Sequence, residues 1–509
     1  MKLKAYSGHI RNHKALCEAL GIDASLPRIA REEAILLAAY KEWGGNMANH
    51  IYGMFAFVIE NDDGSLFLCR DQFGTKPLYY YETEKGLLYG STIREIMAGE
   101  GFKKELNLKM LQIYLTMTYT TGEETFFTGV KKLLPGRYMT YKNGEKSITR
   151  YWRPTYAPDE NRTLEEWADE IHETLTQVMG EVKEEGEYVE SFLSGGVDSS
   201  YVLAVSDAEA ANSCGYDDSR LDESGLARTT AEILNRRFNR CVITPEDYFS
   251  AVPYVMYNME QPLGDASAVA FALGCRATAE HTDICYSGEG ADEFFGGYNM
   301  YRNATRYGEN LPTFYVGNTN IMKEEEKRRI LKKYYDDFEP IDLVRELYSQ
   351  NEGLDPLSKM TDIDIQVWLE GDIYLNVDKM SRAAGLEVRM PLTDLRIFDI
   401  ASRIPSKYKV TEQQNKLALR TAAAKVLPEE IAFRGKLGFV VPIRVWMADE
   451  RYNADVRAKF QSDFAAKFFN LDEINAIFDE YIGGNSDNWR KVYVIYAFLV
   501  WYEEYFVKR

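Results

Sequence analysis

The chain has 509 residues, of which 45% are hydrophobic and 27% charged. That composition belongs to a globular protein of roughly two to four domains and excludes long disorder and fibrous repeats. A formal net charge of −19 excludes a surface that coats nucleic acid, which needs a basic face, but leaves room for a small basic pocket around a phosphorylated ligand.

The chain opens Met1-Lys2-Leu3-Lys4-Ala5-Tyr6, without the apolar core of a secretory signal. Up to Tyr151 it reads as short strands broken by turns. Gly53-Met54-Phe55-Ala56-Phe57-Val58-Ile59 is a buried strand, Asn61-Asp62-Asp63-Gly64 a turn, and Ser65-Leu66-Phe67-Leu68-Cys69 the return strand of a hairpin. Pro135-Gly136 marks another turn before Arg137-Tyr138-Met139-Thr140-Tyr141. Residues 152–163 lack periodicity and carry Pro154 and Pro158. They read as a linker between domains of residues 1–151 and 164–509.

Beyond the linker the pattern changes. Leu164 to Val182 has helical spacing, Tyr188 to Leu193 is a short apolar strand, and a helix follows through Ser206. Ala227 to Leu234 is helical and Ile284-Cys285-Tyr286 strand-like. Strands alternating with helices predict an α/β domain whose parallel sheet is covered on both faces. From Glu324 onward the chain is mostly helical. Its longest apolar run, Val492 to Tyr502, is too short for a bilayer and reads as a buried helix. Six scattered cysteines (Cys17, Cys69, Cys214, Cys241, Cys275, Cys285) include no CxxC pair, as expected of reduced thiols in a cytoplasmic protein.

The segment that carries chemistry is Ser194-Gly195-Gly196-Val197-Asp198-Ser199-Ser200, between a strand and a helix. Its glycines let the backbone approach an anion, and the helix start offers free N–H groups. Ser194, Ser199 and Ser200 add hydroxyl donors. Asp198 would repel phosphate unless a cation intervenes, which implies Mg²⁺. The Walker pattern GxxxxGK[ST] is absent.

This string resembles the pyrophosphate loop of ATP pyrophosphatases that adenylate a carboxylate or carbonyl. Three further strings narrow the resemblance to the asparagine synthetase superfamily: Ser287-Gly288-Glu289-Gly290-Ala291-Asp292-Glu293-Phe294-Phe295-Gly296-Gly297-Tyr298; Asp378-Lys379-Met380-Ser381 running to Leu386-Glu387-Val388-Arg389-Met390-Pro391-Leu392-Thr393-Asp394; and Arg434-Gly435-Lys436-Leu437-Gly438-Phe439. Gly53 to Phe57 and Arg70-Asp71-Gln72-Phe73-Gly74-Thr75-Lys76-Pro77-Leu78-Tyr79-Tyr80 are similar to the late half of that family's glutaminase domain. The implied fold is a truncated, β-rich glutaminase-like domain of the N-terminal-nucleophile type. It is followed by a parallel-sheet ATP-pyrophosphatase domain, adenine nucleotide α-hydrolase-like, with a helical extension.

The resemblance implies an ATP-dependent carbon–nitrogen ligase. A carboxylate attacks the α-phosphorus of ATP, pyrophosphate leaves, and an amine or ammonia takes the acyl group. Asp198 and Asp292 are the expected Mg²⁺ ligands, Lys436 the charge stabiliser and Glu289 the base. Leu193, Cys214 and Gly288 are expected at the adenine, Ser287 beside the phosphate loop, and Asp265 in the acyl or amine pocket. The family's glutaminase begins with a nucleophilic cysteine at the chain terminus. Here Met1 precedes Lys2, and Cys17 is internal. Ser7-Gly8-His9 stands where the family has Asn-Gly-Glu, and Arg31 where it has an aspartate for the glutamine amine. The first domain is therefore expected to lack glutaminase activity, as in β-lactam synthetases and lasso-peptide cyclases, whereas Glu289 aligns with asparagine synthetases. The expected substrates are a small-molecule or peptide carboxylate, aspartate foremost, and an amine or ammonia. No nucleic-acid or membrane partner is expected, and a homodimer is left open.

Overall fold

In the computed structural model, which describes residues 1–217, 222–435 and 438–509, the first 150 residues build two antiparallel sheets. Their strands are β1 (Lys2–Ile10), β2 (Gly53–Glu60), β3 (Leu66–Arg70), β4 (Tyr79–Thr83), β5 (Gly86–Gly90), β6 (Lys131–Lys132), β7 (Arg137–Lys142) and β8 (Glu145–Arg150). One sheet has the order β1-β2-β3-β7-β8, the other β5-β4-β6. The β2–β3 hairpin turns because the Asp63 carboxylate accepts from the Ser65 backbone N–H at 3.0 Å and its hydroxyl at 2.7 Å, while Gly64 takes φ +77°.

This part is less purely β than expected, for it also holds helices His13–Leu20, Arg28–Trp43, Ile93–Met97 and Lys109–Met117. In Arg28–Trp43 the apolar stripe of Ile35, Leu36 and Ala39 is diluted by the buried charges Arg31 and Glu32. In Lys109–Met117 every residue from Met110 to Met117 is buried, so no amphipathic period exists to be read.

Coil over 151–163 leads to helix Leu164–Val182, which starts on a capping box between Thr163 and Glu166. Then come β9 (Glu190–Phe192), β10 (Ala210–Gly215), β11 (Arg237–Val242), β12 (Ile284–Tyr286) and β13 (Glu387–Arg389). All their pairings are parallel, in the order β11-β10-β9-β12-β13. Ser213, Cys214 and Gly215, expected after the second strand, are its last residues. β9 lies at the centre: the chain runs from it to β10 and β11 on one side, then crosses to β12 and β13 on the other, so the strand order reverses between β9 and β12. In such a sheet the crevice beyond the carboxyl ends of the two diverging strands is where ligands bind.

From Glu324 onward helices dominate, and the last long one, Trp489–Tyr502, is buried from Val492 onward. Among the described residues no helix is long and apolar enough to cross a membrane. One hydrophobic core runs from Tyr79, Ile113 and Phe126 through Tyr248 and Val255 to Phe498 and Trp501, so the two halves share an interior. Ion pairs reinforce the join: Arg11–Asp394 at 2.8 Å, Arg28–Glu387 at 2.7 Å, Arg70–Glu370 at 2.9 Å, Lys76–Asp378 at 2.9 Å, and Arg31 with Glu184. In each, the base comes from residues 1–151. The 378–394 string thus works largely at this join. Lys379 engages Glu260, and Arg389 engages Glu187 and Glu387.

Candidate active site

The crevice between β9 and β12 is lined by two tight turns. After β9, the Ser194 N–H donates to the Ser199 hydroxyl at 3.0 Å, the Ser194 and Ser199 hydroxyls lie 3.0 Å apart, and the Gly196 N–H donates to the Ser194 hydroxyl at 3.1 Å. Ser200 does not add a donor to this rim. It is fully buried, and its hydroxyl donates back to the Gly196 carbonyl at 2.8 Å. The Leu193 N–H is spent on the Asn212 backbone carbonyl of β10, to which it donates at 2.8 Å.

The turn after β12 packs backbone to backbone against the first. A Cβ on Gly288 would lie 2.8 Å from the Ser199 nitrogen and 2.9 Å from the Asp198 carbonyl carbon, so only glycine allows this approach. Ser287, 3% exposed, extends the parallel ladder through its N–H to Arg389 at 2.9 Å. Gly290 takes φ +91° and opens helix Ala291–Phe295. Asp198 and Asp292, expected on loops, sit in the first turns of helices Val197–Val205 and Ala291–Phe295.

Both carboxylates converge on the Lys416 ammonium, at 2.6 Å from Asp198 and 2.7 Å from Asp292. Lys416 is 3% exposed at its side chain and holds a left-handed backbone, φ +56°, before helix Leu417–Ala423. The Asn415 amide fixes that turn on the Gly297 carbonyl at 2.8 Å, and the Arg420 guanidinium on the Asn415 carbonyl at 2.8 Å. Gly297 must lack a side chain, since a Cβ would fall 1.8 Å from the Asp292 carboxylate and 2.1 Å from Lys416 Cε.

Lys436 lies outside the described residues. The segment before it is tethered by Arg420, which donates to the Ala432 and Arg434 carbonyls at 2.7 and 2.9 Å. Arg420 therefore holds both the Lys416 turn and the approach to Lys436.

Glu289 sits on the second turn, its carbonyl accepting from the Thr393 hydroxyl at 2.9 Å. Behind it the wall is acidic. Asp372 is 1% exposed, and among the described residues neither of its oxygens has a hydrogen-bond partner. Burial, then Asp265, Glu293 and Glu289, push its carboxyl well above the ordinary range. Burial and then Asp292 do the same to Glu293, which accepts from the Tyr298 hydroxyl at 2.6 Å. Asp265, raised by burial, accepts from the Ser267 N–H and hydroxyl at 2.9 and 2.5 Å. The turn that carries Glu289 is thus backed by a buried cluster of carboxyls.

Cys214, near the end of β10, turns its thiol toward helix Ser267–Ala279, 3.9 Å from the Ala270 carbonyl. Its thiol is pushed well up by its hydrogen bond with Cys241 and by burial. In the first half, Cys17 is buried with its thiol raised by burial. His9 is buried and held neutral, its pKa pushed well down by burial and then by Arg389, Arg28, Arg11 and His13. Arg31 is 5% exposed and faces Glu184 of the second half.

The donor chemistry fits Mg²⁺. Magnesium is commonly held by one or two carboxylates plus substrate phosphates rather than by an all-protein cage. Asp198 and Asp292 supply the two carboxylates beside the Ser194–Ser199 turn, and the described residues contain no larger ligand cluster. Lys416, Arg420 and Asp372 escaped the sequence reading. Lys416 is one lysine among many before an apolar helix, and Asp372 lies in a buried π-helical stretch, Asp364–Ile373.

The family model described as asparagine synthase matches residues 170–503, and one described as a glutamine amidotransferase domain matches residues 2–152. The glutamine-hydrolyzing asparagine synthetase 1 of Bacillus subtilis is 29% identical over 99% of this chain and 86% of its own length. The glutamine-hydrolyzing asparagine synthetase 3 of the same organism is 24% identical over 85% of this chain and 74% of its own. Amidase chyE of Penicillium rubens is 25% identical over 83% and 72%.

Proposed function

The chain belongs to the asparagine synthase family, and from that premise we propose that it adenylates a substrate carboxylate with ATP, releases pyrophosphate, and passes the acyl group to ammonia or an amine. The observation that carries this reading is the convergence of Asp198 and Asp292 on one cation position, beside a hydroxyl-lined turn at the sheet's switch point.

In this reading the Ser194–Ser199 turn receives the phosphates through N–H and hydroxyl groups, while Ser200 keeps the turn in shape. Leu193, Cys214 and Gly288 border the adenine. Mg²⁺, held by Asp198 and Asp292, would supply charge neutralisation at the phosphates. Lys416, buried between the same carboxylates, places a fixed positive charge where negative charge develops, so its contribution needs no solvent reorganisation. Lys436 adds a second one. Glu289 removes the amine proton from its place beside the acidic wall, which favours a cationic nitrogen donor over an anionic one. Aspartate is the first carboxylate to test, and six free thiols suit a reducing compartment such as the cytoplasm.

The first half acts in this proposal as a scaffold. Its Arg31 and His9 replace groups that would hold glutamine, and Arg31 is committed to Glu184 across the join. Turnover should therefore use ammonium and not glutamine. The test measures pyrophosphate and AMP with ATP, Mg²⁺ and aspartate, supplying each nitrogen donor separately. Glutamine-driven turnover equal to that with ammonium overturns the scaffold assignment. Absence of pyrophosphate release across amino acids, amines and peptides overturns the ligase reading itself.

A further inference from the structure

A cleft of about 140 Å³ opens between the two halves, on a part of the molecule that shares no lining residue with the crevice at β9 and β12. Its walls include Arg137, Arg150, Trp152 and Phe73 from the first half and linker, and Glu346 and Gln366 from the second.

Arg137 and Arg150 occupy directly opposed positions on β7 and β8. Like charges so placed destabilise a strand pair. Their hydrogen bonds go to neutral acceptors. Arg137 donates to the Pro135 carbonyl at 3.0 Å, and Arg150 to the Trp152 carbonyl at 3.1 Å and the Gln366 side-chain oxygen at 2.7 Å. Among the described residues neither guanidinium has a carboxylate within ion-pair distance. Burial, then Arg150, lowers the Arg137 guanidinium to about 10, the direction expected where positive charge lacks a close counter-ion. Glu346 is the acid that lines the cleft, exposed, with one oxygen accepting from the Gln350 amide at 2.8 Å, while buried Asp362, whose charge acts on Arg150 ahead of that of Glu346, lies behind Gln366 and accepts from its amide at 2.7 Å. Phe73 and Trp152 pack edge to face at 5.0 Å and give an apolar wall.

Two facing guanidiniums call for a carboxylate, which two such forks can grip from both sides. A carboxylate at the rim calls for a cation some distance away. A volume of 140 Å³ matches a benzene-sized guest, since an apolar cavity of about 150 Å³ takes that molecule, and is too small for a nucleotide. A doubly charged phosphate would be repelled by Glu346 and would leave the aromatic wall unused. We propose that this cleft binds a free α-amino acid, with its carboxylate between Arg137 and Arg150 and its ammonium toward Glu346. The site is separate from the ligase crevice but not remote from it. Gln366, the partner of Arg150, lies in the same π-helical stretch that carries Glu370 to the join and Asp372 to the acidic wall.

The test uses the full chain without nucleotide, with calorimetric and thermal-shift titrations of glycine, L-aspartate, L-asparagine and L-glutamine, and of acetate and inorganic phosphate. At least one amino acid should bind with 1:1 stoichiometry. Arg137→Gln should weaken that binding by about 10-fold or more, the effect of losing one charged hydrogen bond. The same substitution relieves the like-charge contact, so the unliganded variant should melt at or above the wild-type temperature, and a loss of binding then cannot be a loss of fold. Glu346→Gln should weaken amino-acid binding while leaving acetate unchanged. The proposal falls if no amino acid binds at about 10 mM, if amino-acid binding survives Arg137→Gln unchanged, or if phosphate binds as tightly as the amino acids.

Discussion

Lys416→Met removes the ammonium that Asp198 and Asp292 share while keeping a side chain of similar length. The lysine is 3% exposed and the carboxylates 9% and 16%, so the pairing is shielded from water. Breaking a buried ion pair by deleting one partner costs about 3–5 kcal/mol. Because the halves share one core, the 509 residues unfold together; at ~2.1 cal/mol/K per residue the entropy is about 1.1 kcal/mol/K, so about 4 kcal/mol lowers the melting temperature by roughly 4 °C. The two carboxylates still face one position, and Mg²⁺ should now stabilise the fold there. At about 100 times its dissociation constant a ligand returns ~2.7 kcal/mol, or roughly 2.5 °C. The assay is a pair of melting curves for each protein, one with a chelator and one with Mg²⁺. Without nucleotide phosphates to complete a Mg²⁺ site, the Lys416 ammonium fills the position in the wild type, which should change little between them, whereas the variant should fall in chelator and recover with Mg²⁺. A variant that melts like the wild type, or falls without recovery, would falsify the idea that these carboxylates share one cation position.

Gly297→Ala should abolish pyrophosphate release and cost about 1–3 kcal/mol of stability, because its methyl group collides with Asp292 and Lys416; activity above a tenth of wild type contradicts this. Glu32, buried and hydrogen-bonded to the Ile10 N–H at 2.8 Å, has its carboxyl raised from 4.5 to about 7, chiefly by burial. The folded state keeps this proton longer than the unfolded chain, so the group costs nothing below pH 4.5, destabilises increasingly as pH rises through 7, and costs about 3 kcal/mol above that. Glu32→Gln should therefore gain stability over the wild type only as pH rises, and a difference that is flat between acid and neutral pH contradicts the assignment. Cys241, partly exposed and lowered to about 7 by its hydrogen bond with Cys214, should be the first thiol alkylated by iodoacetamide near neutral pH. Peptide mapping that finds Cys214 or a buried cysteine modified first would reverse the donor and acceptor of that pair.

The sequence carried the local grammar well. The start and end of helix Leu164–Val182 followed from its helical spacing, and the β2–β3 hairpin from the Asn61-Asp62-Asp63-Gly64 turn between a buried apolar strand and its return strand. Where tertiary burial erases periodicity, the reading failed. Helix Lys109–Met117 is enclosed on every side, so its residues alternate with nothing. Ser200 shows the same limit at the site. A serine in a glycine-rich turn looks like a ligand donor, but one helical turn past Gly196 its hydroxyl closes onto a backbone carbonyl instead.

Motif strings alone pointed to the family and singled out the Ser194–Ser200 turn and the two carboxylates that the fold brings together, because each lies within a few residues of a strand end where local geometry dictates what a side chain does. Three things were decided only by the folded arrangement. Lys416 reaches Asp198 and Asp292 across 218 residues of chain in the first case. The 378–394 string turned out to serve the join between the halves through its acids, since Asp378, Glu387 and Asp394 meet Lys76, Arg28 and Arg11, while its Lys379 and Arg389 pair within the second half. Arg137 and Arg150 acquired a shared cleft only when the second half closed over β7 and β8. The physical reason is common to all three. The strength of a charge–charge contact depends on distance and on exclusion of water, and both are set by packing between segments far apart in the chain.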